Sequence, residues 1–179
     1  MPHLRDGTAD TAGAEWCGSH NRESNMPYAN DTRAFWDLVA QFPDNKKILV
    51  EGDSWVSHPQ IWNLTGQFED LGNGGFNILN LAQPGDTVSR VLRSGSDQFD
   101  TMELLLSSKK FGDKFDLVVL SVAGNDIVGP EILGYVDAKA SNPGYGRQLL
   151  NQSYYDVLGT IRRDYEAFLK MRDKYALNK

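Results

Sequence analysis

Three short apolar runs, residues 47–51 (KILVE), 76–81 (FNILNL) and 115–122 (FDLVVLSV), limit what this chain can become, because each is bounded by turn residues and reads as a strand. Between them lie stretches with helical periodicity, at about residues 59–71, 87–92 and 97–106. The order is therefore β-α-β-α-β. Consecutive strands joined by helices are parallel, and right-handed crossovers place those helices on both faces of the sheet, which predicts a three-layer α/β/α domain around a central parallel sheet. The third run is apolar almost without alternation, the pattern of a central strand covered on both faces. A chain of 179 residues, 40% hydrophobic, has material for one such core.

The flanks are read from local signals. Residues 1–30 are rich in Gly, Ala, Asn, Asp and Ser with no sustained period, so they are expected to form a flexible N-terminal extension to a domain over 31–179. Asp31-Thr32 caps a helix through about Phe42, with Phe35, Leu38, Val39 and Phe42 as its apolar stripe and Pro43 as its stop. Residues 127–148 contain Pro130, Pro143, Gly129, Gly134, Gly144 and Gly146, and read as a loop-rich insertion with a short helix around 131–136. From Asn151 a long helix is expected to turn Tyr154, Leu158, Ile161, Tyr165, Phe168 and Leu169 to the core, with Arg162, Arg163, Asp164 and Lys170 facing away. No internal repeat is visible.

Composition removes several function classes. A net charge of −6 and a pI near 5.0 provide no basic surface for a phosphate backbone, so no nucleic-acid partner is expected. A single cysteine, Cys17, permits neither an internal disulfide nor a thiolate zinc site. No apolar run reaches the roughly 20 residues of a membrane span, and the N-terminal residues lack the apolar core of a secretory signal, which together point to a cytoplasmic protein. A dinucleotide site is set aside because no G-x-G-x-x-G follows the first strand.

In open parallel sheets the loops at the carboxyl ends of the strands converge on one crevice. Here those loops carry Gly52-Asp53-Ser54-Trp55, Ala82-Gln83-Pro84-Gly85-Asp86 and Ala123-Gly124-Asn125-Asp126. The ordered set, over roughly residues 47–128, resembles blocks one to three of the SGNH (GDSL-like) serine hydrolases. That resemblance implies an SGNH/flavodoxin-like fold and an esterase or acylhydrolase that needs no cofactor or metal and acts on a small-molecule acyl or glycan ester. It also implies Ser54 as nucleophile, with the Ser54 N–H, the Gly85 N–H and the Asn125 side-chain amide as oxyanion donors. Each residue has a bland local alternative: Ser54 as a helix N-cap, Gly85 as a turn residue before an Asp86-Thr87 cap, and Asn125 as a loop residue. Asp53 and Asp126 are expected to orient the loops through backbone hydrogen bonds.

A serine needs a general base, and in the family it is the histidine of a C-terminal Asp-x-x-His. No such tetrapeptide occurs here, and the histidines are His3, His20 and His58. Three explanations stand at the level of sequence. The domain is incomplete before its last strand, and the base lies on further sequence or a second polypeptide; three central strands are few for a sheet that usually has about four to six. Alternatively His58 substitutes, against which Pro59 disfavours a regular helical turn. In the third, the protein is a catalytically silent relative that binds a ligand without cleaving it. A metallophosphoesterase is the runner-up enzyme, although the histidines and carboxylates of a two-metal site are not evident. A fragment with an unpaired sheet edge would associate with itself or a second chain.

Overall fold

The computed structural model describes residues 28–58, 63–108, 115–136 and 150–175. Four strands, β1 (Tyr28–Ala29), β2 (Lys46–Gly52), β3 (Phe76–Asn80) and β4 (Leu117–Ser121), form one sheet in the order β1-β3-β2-β4. All pairings are parallel, with Ile48 opposite both Ile78 and Leu117, and Gly52 opposite Ser121. The helices are α1 (Thr32–Gln41), α2 (Ser54–Ser57), α3 (Leu64–Gly72), α4 (Val88–Val91), α5 (Asp97–Ser107), α6 (Gly124–Ile127) and α7 (Gln152–Tyr175), with a 3-10 turn at Pro130–Gly134. The protein is thus a mixed α/β structure on a parallel sheet.

The expected strands fall where the apolar runs lie. Two sheet positions differ from expectation. Tyr28 and Ala29, inside the segment read as an extension, pair with Ile78 and Leu79 of β3 and so begin the sheet; residues 1–27 lie outside the described residues. The apolar run of β4, expected at the centre, is at an edge among the described residues, and β2 is the strand flanked on both sides. Apolar continuity reports that both faces of a strand avoid water; it does not report which strands lie beside it. Asp116 fastens β4 to β2: its carboxylate accepts from Lys47 N at 2.9 Å and its own N–H donates to Lys47 O at 2.8 Å.

Alternation along β2 divides the core. Leu49 joins Phe35, Leu79, Val88, Val91, Leu92, Phe99, Met102 and Phe168 in one cluster, while Ile48 and Val50 pack with Val56 and Ile78 in a second. Asp31 caps α1 by accepting from Ala34 N at 2.9 Å, and Phe35 stacks on Phe115 with centroids 5.5 Å apart. Helix α3 begins at Leu64 behind the N-cap Asn63, and residues 59–62 of the expected helix are outside the described set. Most of the insertion, residues 137–149, is also outside it. On α7, Phe168 and Met171 are buried and Ile161 and Tyr165 pack against them, but Leu169 is exposed. Asp164, expected to face solvent, is instead largely covered, 3.8 Å from Arg93. A helix stripe about 100° wide spares only part of a 24-residue helix, and the partner packing decides which part.

Candidate functional site

The end of β2 makes a turn that only glycine can enter. Gly52 has φ +147°, and a Cβ there would sit 2.1 Å from the Ser121 carbonyl oxygen. With the backbones that close, Asp53 N donates to Ser121 O at 2.8 Å. The Asp53 carboxylate then accepts from Trp55 N at 3.0 Å and from the Ser121 hydroxyl at 3.2 Å. Asp53 is therefore the N-cap of α2, and Ser54 is the first helical residue rather than the cap. Because α2 is only four residues long, the individual N–H groups at its start matter more than a summed dipole. The helix ends at His58, whose extended ψ of 123° suits the residue before Pro59.

The second and third loops are tied to this turn and to each other. Gln83 N donates to Gly52 O at 3.0 Å, and Asn125 Nδ2 donates to Asp86 O at 2.9 Å. Thr87 holds the N-cap position of α4 without a side-chain capping bond; Asp126 caps the helix from the third loop, accepting from Val88 N at 2.8 Å. Burial raises the Asp126 carboxyl above its ordinary range, opposed by the Val88 N–H bond and reinforced by the charges of Asp164 and Asp53. Gly85 has φ +88° with no atom within 4 Å of a Cβ position, so conformation rather than crowding calls for glycine there. A Cβ on Gly124 would lie 3.2 Å from Asp53 Oδ2 and 3.7 Å from Trp55 Nε1, which brings the third loop against the first. Ala123, just before it, adopts φ +87°, a strained conformation for a non-glycine residue.

Ser54, Gly85 and Asn125 thus come from three loops knitted into one edge of the sheet. Among the described residues, no acceptor pairs with the backbone N–H of Ser54 or Gly85, and none of those residues engages the Ser54 hydroxyl. Asn125 spends one amide hydrogen on Asp86 O and keeps the other. His58 meets Ser54 through its main chain, its N–H donating to Ser54 O at 3.1 Å, while His3 and His20 lie outside the described residues. Among the described residues, no three His, Cys, Asp or Glu side chains are grouped to hold a metal ion, and no helix is long and apolar enough to cross a membrane.

No protein-family model, curated protein or solved structure matches the chain.

Two buried acidic residues adjoin these loops, Glu51, which the sequence does not single out, and Asp86, which it offers only as part of a helix cap. Glu51, at the end of β2, and Asp86, beside Gly85, are both 0% exposed. Glu51 Oε1 accepts from Gly52 N at 3.0 Å, and Oε2 is buried without a hydrogen-bond partner. Burial pushes the Glu51 carboxyl up to about 7, with the Gly52 N–H opposing and the Asp86 charge adding to the rise. Asp86 receives a hydrogen bond from Gln98 Nε2 and has Arg90 3.3 Å away, a charge contact without hydrogen-bond alignment. A glutamate at the end of an apolar strand is compatible with exposure or with burial as the acid, and no local signal in the sequence chooses between the two.

Proposed function

We propose that the chain carries the nucleophile and oxyanion hole of an SGNH-type serine hydrolase that cleaves a small-molecule ester, an acyl group or glycan ester, through a Ser54 acyl-enzyme. The supporting observation is the unengaged Ser54 hydroxyl with two unpaired backbone N–H groups, of Ser54 and Gly85, and the spare Asn125 amide hydrogen on the adjoining loops. The parallel sheet and the two apolar clusters built on β2 support reading the fold as the family's three-layer arrangement.

In this reading Ser54 Oγ attacks the ester carbonyl carbon and passes its proton to a general base, while the carbonyl oxygen becomes an oxyanion held by the three donors. Collapse expels the alcohol, which takes the proton, and water then repeats the sequence to release the acid and restore Ser54. The base is supplied from outside these residues, since the chain has no Asp-x-x-His. Without such a base the same loops would form a binding site for an acyl or glycan ligand.

The test is fluorophosphonate labelling of the intact protein followed by peptide mass mapping. The expected outcome is an adduct on Ser54 that disappears in Ser54→Ala and persists in a strong chelator. An intact protein that takes no label at Ser54 overturns the hydrolase and leaves the binding site; chelator-sensitive turnover would point to metal-dependent chemistry instead.

A further inference from the structure

Glu51 has no role in the acyl-transfer scheme, yet it is the residue on which the nucleophile turn begins. Its carboxyl is buried and accepts from Gly52 N, one residue from the Asp53 cap and two from Ser54. Its other oxygen is buried without a partner, and so is Asp86 Oδ1, on the loop that carries Gly85. Two fully buried carboxyl groups therefore lie on the segments that carry two of the three proposed oxyanion donors. Two carboxylates brought together in a dry site repel, and one of them is held as the neutral acid.

We infer that Glu51 is a positioning residue which, in its neutral form, holds the Gly52 turn that presents Ser54 and its N–H to an oxyanion. The charged neighbours decide which carboxyl stays neutral. Asp86 faces the Arg90 guanidinium of α4 at 3.3 Å and accepts from Gln98 of α5, so a cation and a donor both meet its carboxyl. Glu51 receives only the Gly52 N–H. From α7, Asp164 and Tyr165 act toward Asp126 and Asp53 on the third and first loops, adding negative or ionisable groups and no cation. Losing the Glu51 proton places a second buried charge beside Asp86. That charge has no second donor to meet it, which loosens the turn, and it opposes the negative charge that develops on a bound carbonyl oxygen. The titration falls near neutrality, so the effect is felt in the working range of a serine hydrolase.

This inference rests on the hydrolase reading, and its test separates the two. The rate of fluorophosphonate labelling at Ser54 is compared in the intact protein and in Glu51→Gln, which is neutral at every pH and still accepts from Gly52 N. Ionisation of any general base affects both proteins alike and cancels in the ratio. The Glu51→Gln to parent ratio is expected to rise about tenfold between about pH 6 and pH 8. In parallel, the Gly52 amide resonance is followed by NMR. It is expected to titrate near neutrality in the parent protein, to be flat in Glu51→Gln, and to move to lower pH in Asp86→Asn, where the repelling charge is gone. A pH-independent labelling ratio, with Ser54 labelled in both, overturns the role of Glu51 and leaves the hydrolase standing. Absence of label at all pH values overturns the hydrolase. A Gly52 resonance that does not titrate overturns the neutral-acid role by itself. Should Glu51→Gln fail to fold, the Asp86→Asn shift remains a complete test.

Discussion

Gly52 and Gly85 both take positive φ, but their surroundings make them unequal. At Gly52 a Cβ would overlap the Ser121 carbonyl as well as strain the backbone, and backbone shifts there would break the Asp53–Ser121 bond. Gly52→Ala is expected to cost about 3 kcal/mol, combining strain with overpacking. Gly85→Ala meets open space and is expected to cost about 1 kcal/mol, from strain alone. Urea denaturation of the two variants checks the order, and equal losses would contradict the steric account. At Asn125, replacement by Ala removes a donor from the proposed oxyanion hole and the tie to Asp86 O. Ser54 labelling is expected to slow by about 10²-fold with the protein still folded, as circular dichroism would show. Glycine at position 52 and the GDSW and GND patterns were legible as residues. That Asp53 rather than Ser54 caps α2 was not, because both residue types cap and only the turn geometry chooses.

At the scale of elements, β2 carries a pH dependence that the local motif conceals. The folded-state pKa of Glu51, about 7, lies above its ordinary value of 4.5, so the folded protein binds this proton more tightly than the unfolded chain. Its contribution to stability is fully present below about pH 4.5 and is lost as pH rises through about 7, amounting to about 3 kcal/mol at most. Asp116 acts in the opposite sense: the Lys47 N–H bond lowers its pKa, so its smaller contribution disappears only in acid. Thermal melts of the intact protein are expected to fall in Tm between about pH 5 and pH 8, and Glu51→Gln is expected to flatten that fall. Unchanged slopes in the two proteins would show that Glu51 is ionised throughout. Helix α4 makes a related point, since Asp126, 38 residues from Val88, supplies the cap that Thr87 does not. Capping signals are local in sequence, and a cap delivered from another loop leaves none.

For the whole molecule, the edge of β4 that no strand covers among the described residues is the feature with the largest consequence. Its run LVVLS carries no Lys or Pro among its five residues, Leu117 is 47% exposed, and Val119 packs only at the border of the second cluster. An apolar strand with an unpaired edge recruits another strand. Sedimentation of the 179-residue chain is therefore expected to show concentration-dependent association, reduced by Leu117→Lys, whose partly exposed side chain can be replaced at little cost to folding. A chain that stays monomeric at all concentrations would mean that this edge is already covered.

The sequence by itself determined the alternation of strands and helices, the positions of β2, β3 and β4 to within two residues at each end, and the fact that GDSW, the Gly85 loop and GND share one sheet edge. These follow from periodicity and chain direction, which are local properties written into neighbouring residues. Only the tertiary structure decided that β2 is flanked on both sides, that β4 stands at an edge among the described residues, that Asp164 is covered, and that Glu51 and Asp86 are both buried. Those depend on which segments distant in sequence come to share a dry interior, where the energy of a charge is set by its neighbours in space.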